Sequence, residues 1–317
     1  MQNSLDNFAY QDVVSSDGKT YAELRKELAP SYSKVRLDLL KGYLSLFVIL
    51  LIDFLLLRYT TIASVVFLPL SALALGYVLA YLHLFIHAGA HYDLHPVKSV
   101  NDKICDFLIG VIFGIRIKGY RKIHWQHHNL LGTKLDTEHS YFNELNSWFL
   151  LKSIAGIQTA GVILSRSKTA KSNGGRFPVS FFSVYVFALH ASIVWLLFTI
   201  GGWALAVTWL TALIVVFPLL ATIRQIMEHR DVAASGEVDY KETDHGKVNR
   251  LFGNGILDSS FGAAGFNKHL LHHWDPTISY TCLDKVEQFL SSCPETSAII
   301  SNNKTSYLKT FIALFKI

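Results

Sequence analysis

The sequence predicts an all-α integral membrane protein with four transmembrane helices in two hairpins and a cytoplasmic helical cap that carries most of its histidines. Two observations predict this fold class. The chain of 317 residues is 51% hydrophobic and has a mean hydropathy of +0.31, which is too apolar for a typical soluble domain. It also contains several apolar stretches of about 20 residues, the length that a helix needs to cross the hydrocarbon core of a bilayer.

Four apolar segments are the candidates for membrane helices. In chain order they are residues 42–57, 62–82, 179–200 and 203–226. Only residues 58–61 separate the first two segments, so we expect a tight hairpin there. Gly201 and Gly202 break the second pair in the same way. Pro178 is well placed in the first turn of the third helix, and we expect Pro218 to kink the fourth.

The segments outside these helices are expected to form the cap and the termini of a single domain. Its expected parts are a polar N-terminal segment (1–35), a membrane and metal-binding core (36–300) and a C-terminal segment (301–317). Residues 104–117 are apolar but too short to span comfortably, so we expect a helix that lies in the membrane interface or re-enters it. Residues 165–177 form a basic loop, and 308–317 a short terminal helix.

The distribution of basic residues predicts which side of the membrane is cytoplasmic. Four crossings place both termini and every group of histidines on the same side. In the two short turns on the other side and at their edges, Arg58 is the only basic residue. The basic residues of the histidine side are Lys34, Arg36, Lys41, Arg116, Lys118, Arg121, Lys122, Arg166, Lys168, Lys171 and Arg176. By the positive-inside rule, the histidine groups and both termini are therefore cytoplasmic.

Nine of the 14 histidines fall into four groups that follow the apolar segments. They are His87 and His91; His124, His127 and His128; His229; and His269, His272 and His273. In a helix, residues three and four positions apart share a face, with Cβ atoms about 5–6 Å apart, so each group can aim its imidazoles at one point. Nine nitrogen ligands exceed what one tetrahedral zinc ion uses and suit two ions of higher coordination number.

Other polar residues near these groups are candidates for orienting the ligands. Hydrogen bonds to ligand imidazoles are expected from Asp136, Glu138, Glu228 and Asp275, unless these are ordinary interfacial charges. Gln225, one turn before His229, could hold a water at an open coordination position. Among the remaining histidines, His83 and His95 are expected to be structural or to support the ligands. His139 and His245 are expected to be solvated, and His190 to hydrogen bond to a neighbour within its membrane segment.

The motifs resemble those of the membrane fatty acid desaturase family. The stretches that carry the resemblance are HxxxH at 87–91, HxxHH followed by GT and DTE at 124–138, RQIMEH at 224–229, and FNKHLLHHWDPTISY at 266–280. The chain departs from the family at Ala88, where Asp or Glu is usual, and at Thr137, where Pro is usual. These departures bear on the substrate and the reaction more than on the metal.

The resemblance implies an oxidoreductase that introduces a double bond into an acyl lipid or acyl thioester. It also implies a centre of two iron ions, O2 as co-substrate and an external electron donor of the ferredoxin or cytochrome type. An acyl-chain hydroxylase or oxidative decarboxylase on the same centre is the main alternative.

A membrane metal-binding or transport protein is the alternative from another class. Asp53 and His190 are the evident candidates for an ion pathway within the predicted spans, which is few for a transporter. A membrane zinc protease would need an HExxH motif, and Ala88 replaces its glutamate. The basic residues flank membrane segments, so we expect no nucleic-acid partner.

Overall fold

The computed structural model describes residues 5–59, 61–157, 181–234 and 240–315. This part of the chain is mostly helical. Its α-helices are α1 (Tyr21–Glu27), α2 (Tyr32–Tyr59), α3 (Thr61–Ala90), α4 (Lys98–Ile104), α5 (Val111–Phe113), α6 (Ile117–Leu130), α7 (Ser147–Ile154), α8 (Phe181–Thr211), α9 (Phe217–His229), α10 (Ile256–Phe261), α11 (His269–Trp274), α12 (Leu283–Ser292), α13 (Pro294–Asn302) and α14 (Tyr307–Leu314).

The other regular elements are short. Wider π-helical turns occupy Cys105–Gly110 and Ala212–Val216. The 3-10 turns are Leu5–Asn7, His139–Phe142, Val232–Ala234, Phe266–Lys268 and Tyr280–Cys282. Strands β1 (Leu251–Phe252) and β2 (Lys304–Thr305) pair in parallel and join the segment before α10 to the one before α14.

Three segments of the described chain are long and apolar enough to cross a membrane: Tyr32–Leu57, Phe67–Ala90 and Phe181–His229. The third has 49 residues, and a straight helix of that length would measure about 73 Å, more than twice a hydrocarbon core of about 30 Å. Gly202 interrupts it with φ 68° and ψ −165°, a conformation that glycine alone adopts readily. The structure thus has three candidate spans where four were predicted, and a division of the third at Gly202 stays a prediction.

The first two membrane helices extend beyond their apolar stretches. Helix α2 begins at Tyr32, ahead of the predicted start at residue 42, and Asp38 supports the added turns by pairing with Lys34 and Lys41 at helical spacing. Helix α3 continues past residue 82 to Ala90, so His87 lies in its last turn. Helix boundaries here follow packing and ion pairs rather than the end of the apolar run.

Two π-helical turns occur close to where the sequence predicts an interfacial helix and a kink at Pro218. The apolar stretch at 104–117 is a π-helical turn followed by the short helix α5, and Ile109 and Val111 are buried in the core between α3 and α8. The other π-helical turn ends at Val216, two residues before Pro218. Proline lacks the N–H that a regular α-helix would need there. Pro178 and the basic loop 165–177 lie outside the described residues.

The N-terminal segment packs against the last third of the chain. Leu5, Val13 and Tyr21 share a buried apolar cluster with Leu271 and Trp274 of α11. The sequence pattern had marked this segment only as polar, but it covers the helix that carries the final group of histidines.

Candidate metal centre

The nine predicted ligands converge at one end of the membrane helices. His87 lies in the last turn of α3 and His91 directly follows that helix, while His229 is the last residue of α9. Helices α6 and α11 each supply three imidazoles. Six of the nine side chains belong to buried residues, and His91, His128 and His273 are half-buried. The sequence spacing therefore predicted a set of residues that the structure brings together.

The nine imidazoles divide into a group of five and a group of four. The five-histidine group is His87, His91, His124, His128 and His272, whose ligand atoms all lie within 4.8 Å of one another. A second group has ligand atoms that also lie within 4.8 Å of one another, and its members are His127, His229 and His273. His269 completes this four-histidine group, because its Nε2 lies 2.9 Å from Nε2 of His229 and 3.2 Å from Nε2 of His273.

The division follows from helix geometry. On α6, His124 and His128 are four residues apart, so their side chains differ by only about 40° around the helix axis and join the same group. The middle histidine of that motif, His127, points about 60° to the other side and joins the other group. Helix α11 repeats this arrangement in the opposite sense, because His269 and His273 belong to the four-histidine group and His272 crosses to the other. Both groups thus draw ligands from both helices, which holds the two sites side by side.

The distances between ring nitrogens suit octahedral metal coordination. In the five-histidine group, Nε2 of His124 lies 2.9 Å from Nε2 of His91 and 3.0 Å from Nε2 of His128, which in turn lies 3.2 Å from Nε2 of His272. Two nitrogens bound at about 2.1 Å to one ion are about 3.0 Å apart at a right angle and about 3.4 Å apart at a tetrahedral angle. The observed spacings lie mostly at the octahedral value.

The protonation of the imidazoles also suits metal binding. Burial lowers the pKa of His91, His128, His269, His272 and His273, so these rings are neutral near pH 7 and keep a lone pair for a metal. His87 is buried, and within the described part of the chain neither of its ring nitrogens has a hydrogen-bond partner. A metal ion bound by the five-histidine group would give one of these nitrogens a partner. The residues of this group therefore fit a bound metal ion.

Two carboxylates contact imidazoles of the two histidine groups. Nδ1 of His127 lies 2.9 Å from both carboxylate oxygens of Asp136, and Nδ1 of His124 lies 3.1 Å from Oε1 of Glu138. A carboxylate accepts, so each Nδ1 carries the proton and each Nε2 is free to bind a metal. Burial alone lowers the pKa of His127, but Glu138 and Asp136 more than offset it and raise the pKa overall.

Further contacts fix these two carboxylates. The Tyr141 hydroxyl donates to Asp136 at 2.7 Å, as does the backbone N–H of Glu138 at 2.9 Å. The amide of Gln225 donates to Glu138 at 2.5 Å. Gln225 therefore contacts the imidazole of His124 through Glu138, and its expected role of holding a water at an open coordination position stays a prediction.

The other two predicted carboxylates have different partners from those expected. Asp275 accepts a hydrogen bond from Tyr21 at 3.0 Å and pairs with Arg25, so it fastens the N-terminal segment instead of orienting an imidazole. Glu228 accepts from Tyr307 and lies 3.3 Å from Nε of Arg224. Tyr21, Arg25 and Tyr307 are far away in the sequence, so spacing does not reveal them, whereas Arg224 is one turn before Glu228 on α9.

Arg121 is a positioning residue that the sequence did not single out. It lies on α6 three residues before His124 and donates to the backbone carbonyls of Gly89 and Ala90, both at 2.9 Å. Its guanidinium also pairs with Asp102 at 2.5 Å. The sequence placed it only among the basic residues of the cytoplasmic side. In the structure it ties the end of α3 to the helix with the next histidines.

The remaining histidines do not belong to either group. His190 lies 3.0 Å from the backbone carbonyl of Ile112, and its ring donates there. His83 packs against the rings of Phe113 and Phe217. His245 was expected to be solvated, but its ring stacks on Tyr240 with 3.5 Å between centroids.

Comparison with known proteins adds one finding. Residues 63–300 match the protein-family model described as fatty acid desaturase. The matched region begins in α3, ends in α13 and contains all nine histidines of the two groups. No curated protein sequence matches the chain.

Proposed function

The chain belongs to the fatty acid desaturase family, and on this basis we propose that it introduces a double bond into an acyl chain at a centre of two iron ions. The observation that carries the proposal is the convergence of nine buried or half-buried imidazoles into groups of five and four. Imidazole binds iron, zinc and copper alike, so the choice of iron rests on the family together with nine imidazoles at two groups. When bound, the iron pair would supply the O2 activation that removes hydrogen from an unactivated C–H bond.

The protein's own residues provide a rigid and dry setting for that chemistry. Asp136 and Glu138 hold His127 and His124 in the tautomer that leaves Nε2 for the metal. Tyr120 stacks on His124 with 5.5 Å between ring centroids and 7° between planes. This stacking helps to hold the His124 ring in place.

The position of the centre favours a substrate that enters from the membrane. His87 and His229 lie at the ends of segments that can span a bilayer. An acyl chain in the bilayer could therefore reach the metals while its ester or thioester group stays at the interface. We propose an acyl lipid or acyl thioester as the substrate class.

The electrons are proposed to come from another protein. Cys105, Cys282 and Cys293 are free and buried, so the described cysteines form no iron–sulfur site. We infer an external donor of the ferredoxin or cytochrome type.

The proposed membrane orientation has four crossings, and Gly202 lies at the turn between the third and the fourth. The histidines and both termini then lie in the cytoplasm.

Oxidation under labelled dioxygen tests the reaction. Desaturation joins an acyl –CH2–CH2– unit, O2, two electrons and two protons to give –CH=CH– and two molecules of water. Purified iron-loaded protein with a chemical or enzymatic electron supply should yield an acyl product two hydrogens lighter that carries no 18O. The His272→Ala variant should yield none. A product with one labelled oxygen would instead show hydroxylation and overturn the proposal.

A further inference from the structure

One buried carboxylate beside the centre has contacts unlike those of its neighbours. Asp136 and Glu138 each hydrogen bond to Nδ1 of a ligand imidazole. Among the contacts that the structure describes, those of Glu228 go to Tyr307 and Arg224 instead. Glu228 is nevertheless only 1% exposed and directly precedes His229. A carboxylate so deeply buried needs more compensation than one neutral hydroxyl and one guanidinium contact at 3.3 Å.

The geometry places this carboxylate beside two members of the four-histidine group, His229 and His269. One oxygen of Glu228 and one ring nitrogen each of His229 and His269 all lie within 4.8 Å of one another. Two ligands on opposite sides of one ion, each at about 2.1 Å, are about 4.2 Å apart. The separations within this trio therefore approach those of ligands on a common ion.

Tyr307 and Arg224 both contact the same oxygen of the Glu228 carboxylate. The Tyr307 hydroxyl donates to Oε1 at 3.1 Å, and Nε of Arg224 lies 3.3 Å from the same oxygen. Arg224 is itself held in place, because its guanidinium lies over the Phe266 ring at 4.7 Å. Both contacts can persist while Oε2 binds a metal.

We propose that Glu228 is the fifth protein ligand of the metal ion in the four-histidine group, bound through Oε2 and positioned by Tyr307 and Arg224. The proposal rests on the proposed function and assigns a ligand beyond the nine histidines. It gives each ion five protein ligands, so that the groups of five and four become equal in number. It also gives the second ion one anionic ligand, which partly balances a charge that neutral imidazoles leave uncompensated. The two irons would then differ in charge and in ligand type.

Mössbauer spectroscopy of protein loaded with 57Fe can distinguish the two sites. We expect Glu228→Gln to change the spectrum of one iron only and to make that iron at least tenfold easier to remove with a chelator. Glu138→Gln is the matched control, because Glu138 is a carboxylate beside the centre that contacts His124 of the five-histidine group. It should change the spectrum of the other iron. Tyr307→Phe should keep both irons bound and shift the same spectrum as Glu228→Gln, by less.

A structure of the iron-loaded wild-type protein gives a second measurement that does not depend on a variant's folding. An Oε2–iron distance of about 2.0–2.2 Å supports the assignment. A distance above about 3 Å, or a Glu228→Gln protein whose two iron spectra both match the wild type, overturns it while leaving the proposed function intact. Wild-type protein that never retains two irons would overturn the proposed function, and this inference with it.

Discussion

Arg25 in α1 and Asp275 just after α11 form an ion pair, with 3.0 Å between Nε and Oδ2. The same carboxylate oxygen accepts a hydrogen bond from Tyr21 at 3.0 Å. Next to it, the Tyr10 hydroxyl donates to the backbone carbonyl of Trp274 at 2.9 Å. The N-terminal segment is thereby fastened to the end of the helix that supplies three of the nine imidazoles.

We expect Arg25→Ala to lower the free energy of unfolding by about 1–3 kcal/mol, because the buried Asp275 carboxylate loses its cation. The loss is smaller than the roughly 3–5 kcal/mol typical of fully buried pairs, since Arg25 is 38% exposed and Asp275 keeps its bond to Tyr21. Thermal unfolding in detergent micelles measures the effect. Lys19→Ala, which removes an exposed pair with Glu27, is the control and should change stability by less than about 0.5 kcal/mol. Equal melting temperatures for Arg25→Ala and the wild type would contradict this role.

The contrast between Asp275 and Asp136 shows what sequence spacing can and cannot predict. Asp136 lies nine residues after His127 in a compact loop, so local geometry brings its carboxylate to the ring. Asp275 is only two residues from His273, yet these partners come from the N-terminal segment, 250 and 254 positions away in the chain. Contacts of that kind depend on tertiary packing, which no local pattern encodes.

A similar limit applies to the ligands themselves. Helical spacing predicted that nine imidazoles would converge, because i, i+3 and i+4 positions share a face. How they divide between two ions depends on where α6 and α11 lie relative to each other. For this reason His127 and His272 each join a different group from the other two histidines on their helix. A periodic sequence pattern does not predict how two helices lie relative to each other.

Removal of one ligand should disable the centre. We expect His128→Ala or His272→Ala to abolish iron retention and turnover, because each opens the coordination sphere of the five-histidine group. Iron analysis of purified protein, together with the acyl product assay, measures both. His139→Ala is the control, since His139 is exposed and belongs to neither group. Stoichiometric zinc, with iron absent even after anaerobic iron loading, would contradict the iron assignment.

Loss of the carboxylate that orients His127 should weaken one site more than the other. We expect Asp136→Asn to lower the affinity of the four-histidine group for iron by about 10–100-fold, because the amide no longer favours the Nδ1–H tautomer. Competition with a graded series of chelators measures the affinity of each ion. Asp244→Asn is the matched control, since Asp244 is exposed, accepts from the backbone N–H of Lys134 and belongs to neither histidine group. Equal affinities for Asp136→Asn and the wild type would show that the tautomer is fixed by other contacts.

The proposed orientation predicts a labelling pattern across the membrane. Thr199, exposed and close to the backbone break at Gly202, should lie on the side opposite to Lys285, which is exposed on α12. The native cysteines are free but buried, so single cysteines at these two positions can be labelled against a low background. In sealed vesicles with the extracellular face outward, an impermeant maleimide should label Thr199→Cys at once and Lys285→Cys only after permeabilisation. Labelling of both positions from the same side would mean that Phe181–His229 crosses the membrane once, and would remove the second hairpin.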